Sequence, residues 1–289
     1  MSYYEVLGLN KEPFSTSPDP FFFYQSKGHK AALCRVQIAI SLRRGMSVIL
    51  GDVGTGKTTL SRKLAQILKD DEDIVFQMIL NPYFQDEHEF LTRLATLFHL
   101  KIPKDASRLE HMEAIERFLF KCGVEENKTV VLLIDEAQIV PEFVFETLRI
   151  LLNYETNEYK MLQLVLVGQL ELLPRIRRMD NFWDRIALKF MLHPLPLEEV
   201  RRLLNYRLGQ AGYNDQSPLF TDEAIQMIWE HTQGYPRKLS LFCHNSLEQL
   251  VMHDTMVVDA HLVRGLIEED LRPFGASSDD WDEQVTVAL

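Results

Sequence analysis

Apolar and polar positions follow two regimes along the chain. Up to residue 192, short and largely apolar runs at 46–50, 73–80, 129–134, 162–168 and 188–192 alternate with stretches at 28–40, 58–69, 86–100, 107–121 and 143–153 whose apolar residues recur every three or four positions. Such runs suit strands buried on both faces of a parallel sheet, and the spaced stretches read as amphipathic helices. Their alternation predicts crossover units and an α/β, doubly wound sheet sandwiched by helices. His193-Pro194-Leu195-Pro196 closes this regime, and beyond it only helical spacing remains, at 197–211, 221–233, 236–253 and 259–271. Thr221 and the Val258-Asp259 pair mark helix starts, and Gly212 and Gly234 mark stops. A small all-helical domain is therefore expected after the sheet.

The opening stretch sets Pro13, Pro18 and Pro20 among Tyr3, Tyr4, Phe14 and Phe21-Phe22-Phe23-Tyr24. It is too apolar for a disordered tail and too rich in proline for a helix, so an extended strap with buried rings is expected. Lying just ahead of the first core strand, it can wall a bound base or simply pack. The helix at 28–40 begins with His29, which can either touch a nucleotide or cap the helix at the surface.

The chemistry concentrates where runs end. The first run passes into Gly51-Asp52-Val53-Gly54-Thr55-Gly56-Lys57-Thr58-Thr59 and then into a helix. In that context a glycine-rich loop closes backbone N–H groups around a polyphosphate, Lys57 reaches the terminal phosphates and the Thr58 hydroxyl ligates Mg²⁺. The run at 129–134 ends in Asp135 and Glu136, the first suited to hold Mg²⁺ and the second to polarise an attacking water. Gln169 follows the run at 162–168, either facing a terminal phosphate or solvating a strand end. Arg175, Arg177, Arg178 and Arg185 precede the last run. A forked guanidinium suits phosphate, and one of the four can reach a neighbouring subunit's site, although together they also fit a solvated basic face. Arg237 follows Pro236 at a helix start, where a cation opposes the helix dipole unless an anion is close.

Composition narrows the function. Lys and Arg number 31 against 42 Asp and Glu, a net charge of −11, so no overall positive field recruits nucleic acid and only a local basic patch remains for that purpose. Cys34, Cys122 and Cys243 are isolated and odd in number, which suits a reducing compartment. The longest apolar runs fall far short of the roughly 20 residues that span a bilayer. A cytoplasmic protein is expected, reaching the inner membrane only through partners. Residues 272–289 are acidic and without periodicity and are expected to be disordered. The histidines show no metal-ligand spacing.

Taken in order, these parts resemble an AAA+ ATPase. More narrowly, the sequence resembles the ATPase part of the ExeA/GspA general-secretion proteins and the stand-alone MshM-type ATPases of MSHA (type IV) pilus biogenesis. The resemblance runs over nearly the whole chain. It rests on the opening Tyr-x-x-x-Gly-Leu-x-x-x-Pro-Phe pattern, Pro18-Asp-Pro-x-Phe, His29-x-Ala-Ala-Leu, Gly51–Thr58, Asn81-Pro-Tyr83, Ile134-Asp-Glu-Ala-Gln138, Leu148-Arg149, Leu152-Asn-Tyr-Glu-Thr156 and Gly168-Gln169. It implies a P-loop fold with a helical lid, laid out as strap and leading helix at 1–45, nucleotide core at 46–196, lid at 197–271 and tail at 272–289. It also implies ATP and Mg²⁺ as cofactors and an active site shared between subunits of a homo-oligomer that serves a pilus or secretion assembly. By position, 51–59 is the Walker A loop, Asp135 and Glu136 the Walker B pair, Gln169 sensor 1, Arg185 the arginine finger and Arg237 sensor 2. Two departures stand out: Leu170 where proline is usual, and Tyr235 where a smaller aliphatic residue is usual. The core motifs also fit a DNA-binding transposition regulator of the TnsC or MuB kind, or a nucleotide-gated scaffold with little turnover.

Overall fold

A computed structural model describes residues 2–17, 19–103, 105–214 and 217–271. The tail expected to be disordered, 272–289, lies outside the described residues. In chain order the elements are α1 (Tyr3–Val6), α2 (Lys27–Ser41), β1 (Met46–Gly51), α3 (Lys57–Lys69), β2 (Ile74–Ile79), α4 (Glu87–Leu97), α5 (Arg108–Phe120) and β3 (Thr129–Ile134). There follow α6 (Glu142–Leu151), β4 (Leu162–Gly168), α7 (Leu172–Arg177), α8 (Asp180–Trp183), β5 (Ile186–Leu192), α9 (Leu197–Gln210), α10 (Asp222–Thr232), α11 (Pro236–Met252) and α12 (Ala260–Leu271). The chain divides into two compact units, one formed by 19–193 and the other by 2–17 with 194–271.

In the first unit all five strands run parallel in the order β2-β3-β4-β1-β5. Both faces of the central strands β1, β3 and β4 are covered, which is why these strands lack polar alternation, while the edge strands β2 and β5 are partly exposed. Val130, Leu132 and Ile134 of β3 join Leu162, Leu164 and Leu166 of β4 in the cluster that packs α4 to α8, built around Phe90, Phe145 and Phe182. Val131, Leu133, Val165 and Val167 point the other way, against Leu33 and Val36 of α2 and Leu60 and Leu64 of α3. From β1 the chain crosses to the far edge at β2 and returns through β3 and β4 to lie beside β1 again, before β5 extends the opposite edge. Loops at the carboxyl ends of β1 and β3 are left facing a common crevice, the usual ligand position in such sheets.

The second unit packs α9 to α12 around Val200, Leu204, Ile228, Leu239, Leu247 and Val263. Thr221 caps α10 by accepting the Ala224 amide at 3.1 Å, and Asp259 accepts the Leu262 amide at 2.9 Å. The opening residues differ from an extended strap. Tyr3–Val6 is a short helix started by a Ser2–Glu5 capping box, and it rests on α11 through Tyr3 Oη and His244 Nδ1, 3.0 Å apart. Phe14 is fully buried edge-on to Phe220, and the Asn10 amide donates to the Ala211 carbonyl at 2.7 Å. Phe14, Phe22 and Phe23 are buried as expected, but Tyr3, Tyr4 and Tyr24 are half-buried and Phe21 is exposed, and at 2–17 the rings belong with the helical unit. Residues 19–26 belong with the sheet, and there Pro20–Phe22 is a single 3₁₀ turn. Two further differences are local. β5 begins at Ile186 rather than 188, and the arginine-rich stretch folds into α7 and α8.

Leu133 is fully buried in the middle of the sheet. Leu133→Ala is expected to lower unfolding free energy by about 2–5 kcal/mol, read as a lower urea midpoint.

Candidate functional site

β1 ends at Gly51 and α3 begins at Lys57, so five residues turn the chain over the strand end. The turn closes on Gly56, whose φ of 91° is left-handed and whose missing Cβ leaves room for His29 Nε2, which such a carbon would meet at 2.9 Å. With glycine at the N-cap no side chain caps α3, and its first-turn N–H groups stay available to an anion. Thr55 is fully buried and its hydroxyl donates to the Asp52 carbonyl at 2.8 Å. Lys57 is 6 % exposed, and its Nζ donates to the carbonyls of Gly51 at 2.9 Å and Asp52 at 2.8 Å. Burial lowers its pKa, while the charges of Glu136, Asp135 and Asp52 pull it back up. Asp135 and Glu136 thus lie within electrostatic reach of the loop lysine. Val53 is exposed on the outside of the turn, and Thr58 and Thr59 are half-buried in the first turn of α3.

His29 is a larger part of this site than the sequence suggests. It is 3 % exposed, so it is not a surface cap. Nε2 lies 3.1 Å from the Thr55 carbonyl and Nδ1 lies 2.7 Å from Ser26 Oγ, with the ring edge-on to Phe23. A carbonyl only accepts, so Nε2 carries the proton and Nδ1 takes the Ser26 hydroxyl hydrogen. α2 thus clamps the back of the phosphate loop.

Asp135 directly follows β3 at 1 % exposure. Its Oδ1 accepts the Glu136 amide at 2.9 Å, while Oδ2 is buried with only the Ser61 hydroxyl close by and no well-formed hydrogen bond. Burial raises the Asp135 pKa, joined by the charge of Glu136 and opposed by the Glu136 amide, the Ser61 hydroxyl and Lys57. A buried carboxylate oxygen left unpartnered is costly unless a cation answers it. Together with the Thr58 hydroxyl on the facing helix, it fits an Mg²⁺ donor set of hard oxygens. Glu136 follows with a left-handed backbone, φ 53° and ψ 37°, and Gln169 is half-buried just beyond the end of β4.

The four arginines take different places. Arg175 Nη1 donates to the Gln138 carbonyl and Nη2 to the Val140 carbonyl at 2.6 Å, which makes it a support of the loop after β3. Arg177 stacks on Trp183, and Arg178 is exposed. Arg185 stands at the amino end of the sheet, beside a cleft of about 340 Å³ lined also by Arg44, Lys160 and Asp184. Its Nε donates to the Asn181 carbonyl at 3.0 Å. The length of β1 separates it from its own phosphate loop, roughly 17–20 Å at the rise of a strand. Arg237 is exposed on the first turn of α11, in the helical unit.

A five-stranded parallel sheet with a phosphate loop after β1 and an Asp-Glu pair after β3 defines a P-loop ATPase of the AAA+ class. Residues 40–176 match the family model for the AAA domain. Over 276 residues the chain is 34% identical to General secretion pathway protein A of Aeromonas hydrophila, a match taking in 92% of this chain and 49% of that protein. The chain therefore spans about half the length of that relative. Among solved structures, Cdc6p from Pyrobaculum aerophilum superposes with a TM-score of 0.67 at 20% identity, over 96% of this chain and 73% of that one. The Drosophila ORC bound to DNA superposes at 0.64 and 17% identity, over 93% and 70% of the two chains. These two likenesses concern the fold. The chain belongs to the AAA+ ATPases, and within them its sequence is similar to the general secretion pathway A protein.

Two outcomes follow from this geometry. Asp135→Asn removes a buried charge, so it is expected to raise the melting temperature of the nucleotide-free protein at neutral pH. Because folding raises this carboxyl's pKa, the gain shrinks as pH falls through the folded value and is gone below the ordinary 3.8. Thermal scans between pH 4 and 8 check it. His29→Ala leaves the Thr55 carbonyl unanswered and is expected to weaken ADP binding by about tenfold or more, with His29→Gln recovering part of the loss in the same titration.

Proposed function

We propose that this chain binds and hydrolyses ATP with Mg²⁺ at interfaces between its own copies, and that turnover drives or gates assembly of a cell-envelope apparatus from the cytoplasmic side. A type IV (MSHA) pilus or a type II secretion-like system is the apparatus this reading names. The observation that carries the hydrolytic part is the buried, unpartnered Asp135 Oδ2, electrostatically coupled to Lys57 beneath an uncapped helix start. The envelope part is supported by the 34% identity to General secretion pathway protein A. Among the described residues no helix is long and apolar enough to cross a membrane, so the reading has partners bring the chain to the inner membrane.

In this reading residues 51–59 hold the phosphates, and Lys57 exchanges the Gly51 and Asp52 carbonyls for phosphate oxygens. Thr58 and Asp135 hold Mg²⁺, which when bound neutralises charge developing on the phosphoryl oxygens. Glu136 polarises the water and Gln169 orients it. Arg237 answers phosphate charge. Arg185, at the wrong end of the sheet for its own nucleotide, completes the pocket of a neighbouring copy.

A second reading has one observation in its favour, the fold likeness to an ORC solved bound to DNA. The net charge of −11 weighs against it. Duplex DNA added to the ATPase assay separates the two: stimulation that falls steeply with salt favours a DNA regulator of the TnsC or MuB kind.

Purified protein is expected to turn over ATP with Mg²⁺, and Glu136→Gln to bind ATP yet lose at least about 100-fold in kcat. Equal slow rates in both would leave only a nucleotide-gated scaffold. Arg185→Ala is expected to bind ATP normally and hydrolyse it poorly, with activity partly restored on mixing with Lys57→Ala protein. No recovery at any mixing ratio would mean that each copy's site is complete in itself.

A further inference from the structure

Gln138 lies in the single 3₁₀ turn, Ala137–Ile139, that follows β3. Its side-chain Nε2 donates to Glu136 Oε2 at 2.5 Å, and its Oε1 accepts the backbone N–H of Gln169 at 3.0 Å. One primary amide therefore ties the carboxylate after β3 to the first residue after β4. Neither bond survives an amide flip, because a carboxylate only accepts and a backbone N–H only donates. The turn itself is held by Arg175, which donates to the Gln138 and Val140 carbonyls with its guanidinium over the Phe145 ring. The seat for the amide exists because residue 168 is glycine. A Cβ there would stand 3.2 Å from Gln138 Oε1 and 3.0 Å from Leu172 Cδ2. Glu136 is fixed at its backbone too, with a left-handed φ of 53° and its N–H on Asp135 Oδ1 at 2.9 Å.

We propose that Gln138 is the positioning residue for the Glu136 carboxylate, holding it in register with the end of β4 so that Glu136 and Gln169 address the same point in the crevice. The inference rests on reading Glu136 as the group that polarises the attacking water. Gln138 acts through Glu136 and does not itself touch the nucleotide. Its two bonds make distinct demands. Methionine at 138 keeps the length of the side chain and loses both bonds. Glutamate keeps an acceptor for the Gln169 N–H but sets a second carboxylate against Glu136.

The test is steady-state ATP turnover with ATP affinity and melting temperature measured in parallel, for the wild type, Gln138→Met, Gln138→Glu, Glu136→Gln and the double variant Gln138→Met/Glu136→Gln. Expected is a loss of about 10- to 100-fold in kcat for both single Gln138 variants, with ATP affinity within about threefold of wild type. Expected also is a double variant no slower than Glu136→Gln alone, since a positioning residue has nothing left to position. Should Gln138→Met fail to fold, Gln138→Glu carries the same comparison. An unchanged or raised kcat in the Gln138 variants overturns the proposal. So does a loss that recurs in full in the Glu136→Gln background, or one that follows ATP affinity, since either marks a structural role. A wild type without turnover, or one no faster than Glu136→Gln, overturns the hydrolytic reading first and this inference with it.

Discussion

Everything in the crevice depends on how Lys57 is held. An ammonium at 6 % exposure must be answered in full, and in this structure the Gly51 and Asp52 carbonyls of its own loop do so while three carboxylates sustain its charge. The cation and the turn thus define each other: the loop wraps the lysine, and the lysine stops the two carbonyls from turning outward. A phosphate that enters competes with those carbonyls for the same donors. The turn also needs a wall behind it, which His29 and Ser26 supply from α2. Loop, lysine and clamp form one unit, and it sits at the strand ends because the sheet order leaves β1 and β3 flanking β4.

Asp135 is the opposite case, a buried charge incompletely answered. One oxygen has the Glu136 amide, the other has only the Ser61 hydroxyl nearby and no well-formed hydrogen bond, and burial has already raised the pKa. Such a group costs stability in the nucleotide-free protein and regains it when a cation arrives, so binding and local stability are linked through a single oxygen. On the proposed reading, β3 is apolar and buried from Val130 to Ile134 so that this oxygen meets no water other than what the ligand brings. The same burial that makes the strand easy to recognise in sequence makes the residue just after it chemically demanding.

The fold was largely legible because its signals are periodic. Runs such as 129–134 and 162–168 have no polar alternation, and only a sheet covered on both faces explains that. The phosphate loop was legible for another reason: glycine spacing, strand and helix must all coincide. What stayed hidden was contact at long sequence separation. His29 and Thr55 are 26 positions apart, and nothing in the helical spacing around His29 separates a surface cap from a buried clamp. Gln138 was visible only as part of a motif, since its partner across the turn is a backbone N–H 31 positions on. The short helix at Tyr3–Val6 escaped because the prolines further on dominated the composition of the segment. Its own four residues carry none, and Ser2 with Glu5 caps them.

The arginines show where pattern stops and topology takes over. In sequence Arg175, Arg177, Arg178 and Arg185 are equivalent, a basic cluster before a strand. The fold separates them by more than their spacing suggests. α7 leaves the carboxyl end of β4 with Arg175 turned back on the loop after β3, while α8 carries the chain to the amino end of β5, where Arg185 stands beside Arg44 and Lys160. Lys160 is ion-paired with Glu155, and burial together with the charge of Arg185 lowers its pKa. A parallel sheet cannot bring its two ends together within one chain. Any role for Arg185 at a nucleotide therefore requires a second copy whose strand ends face this corner.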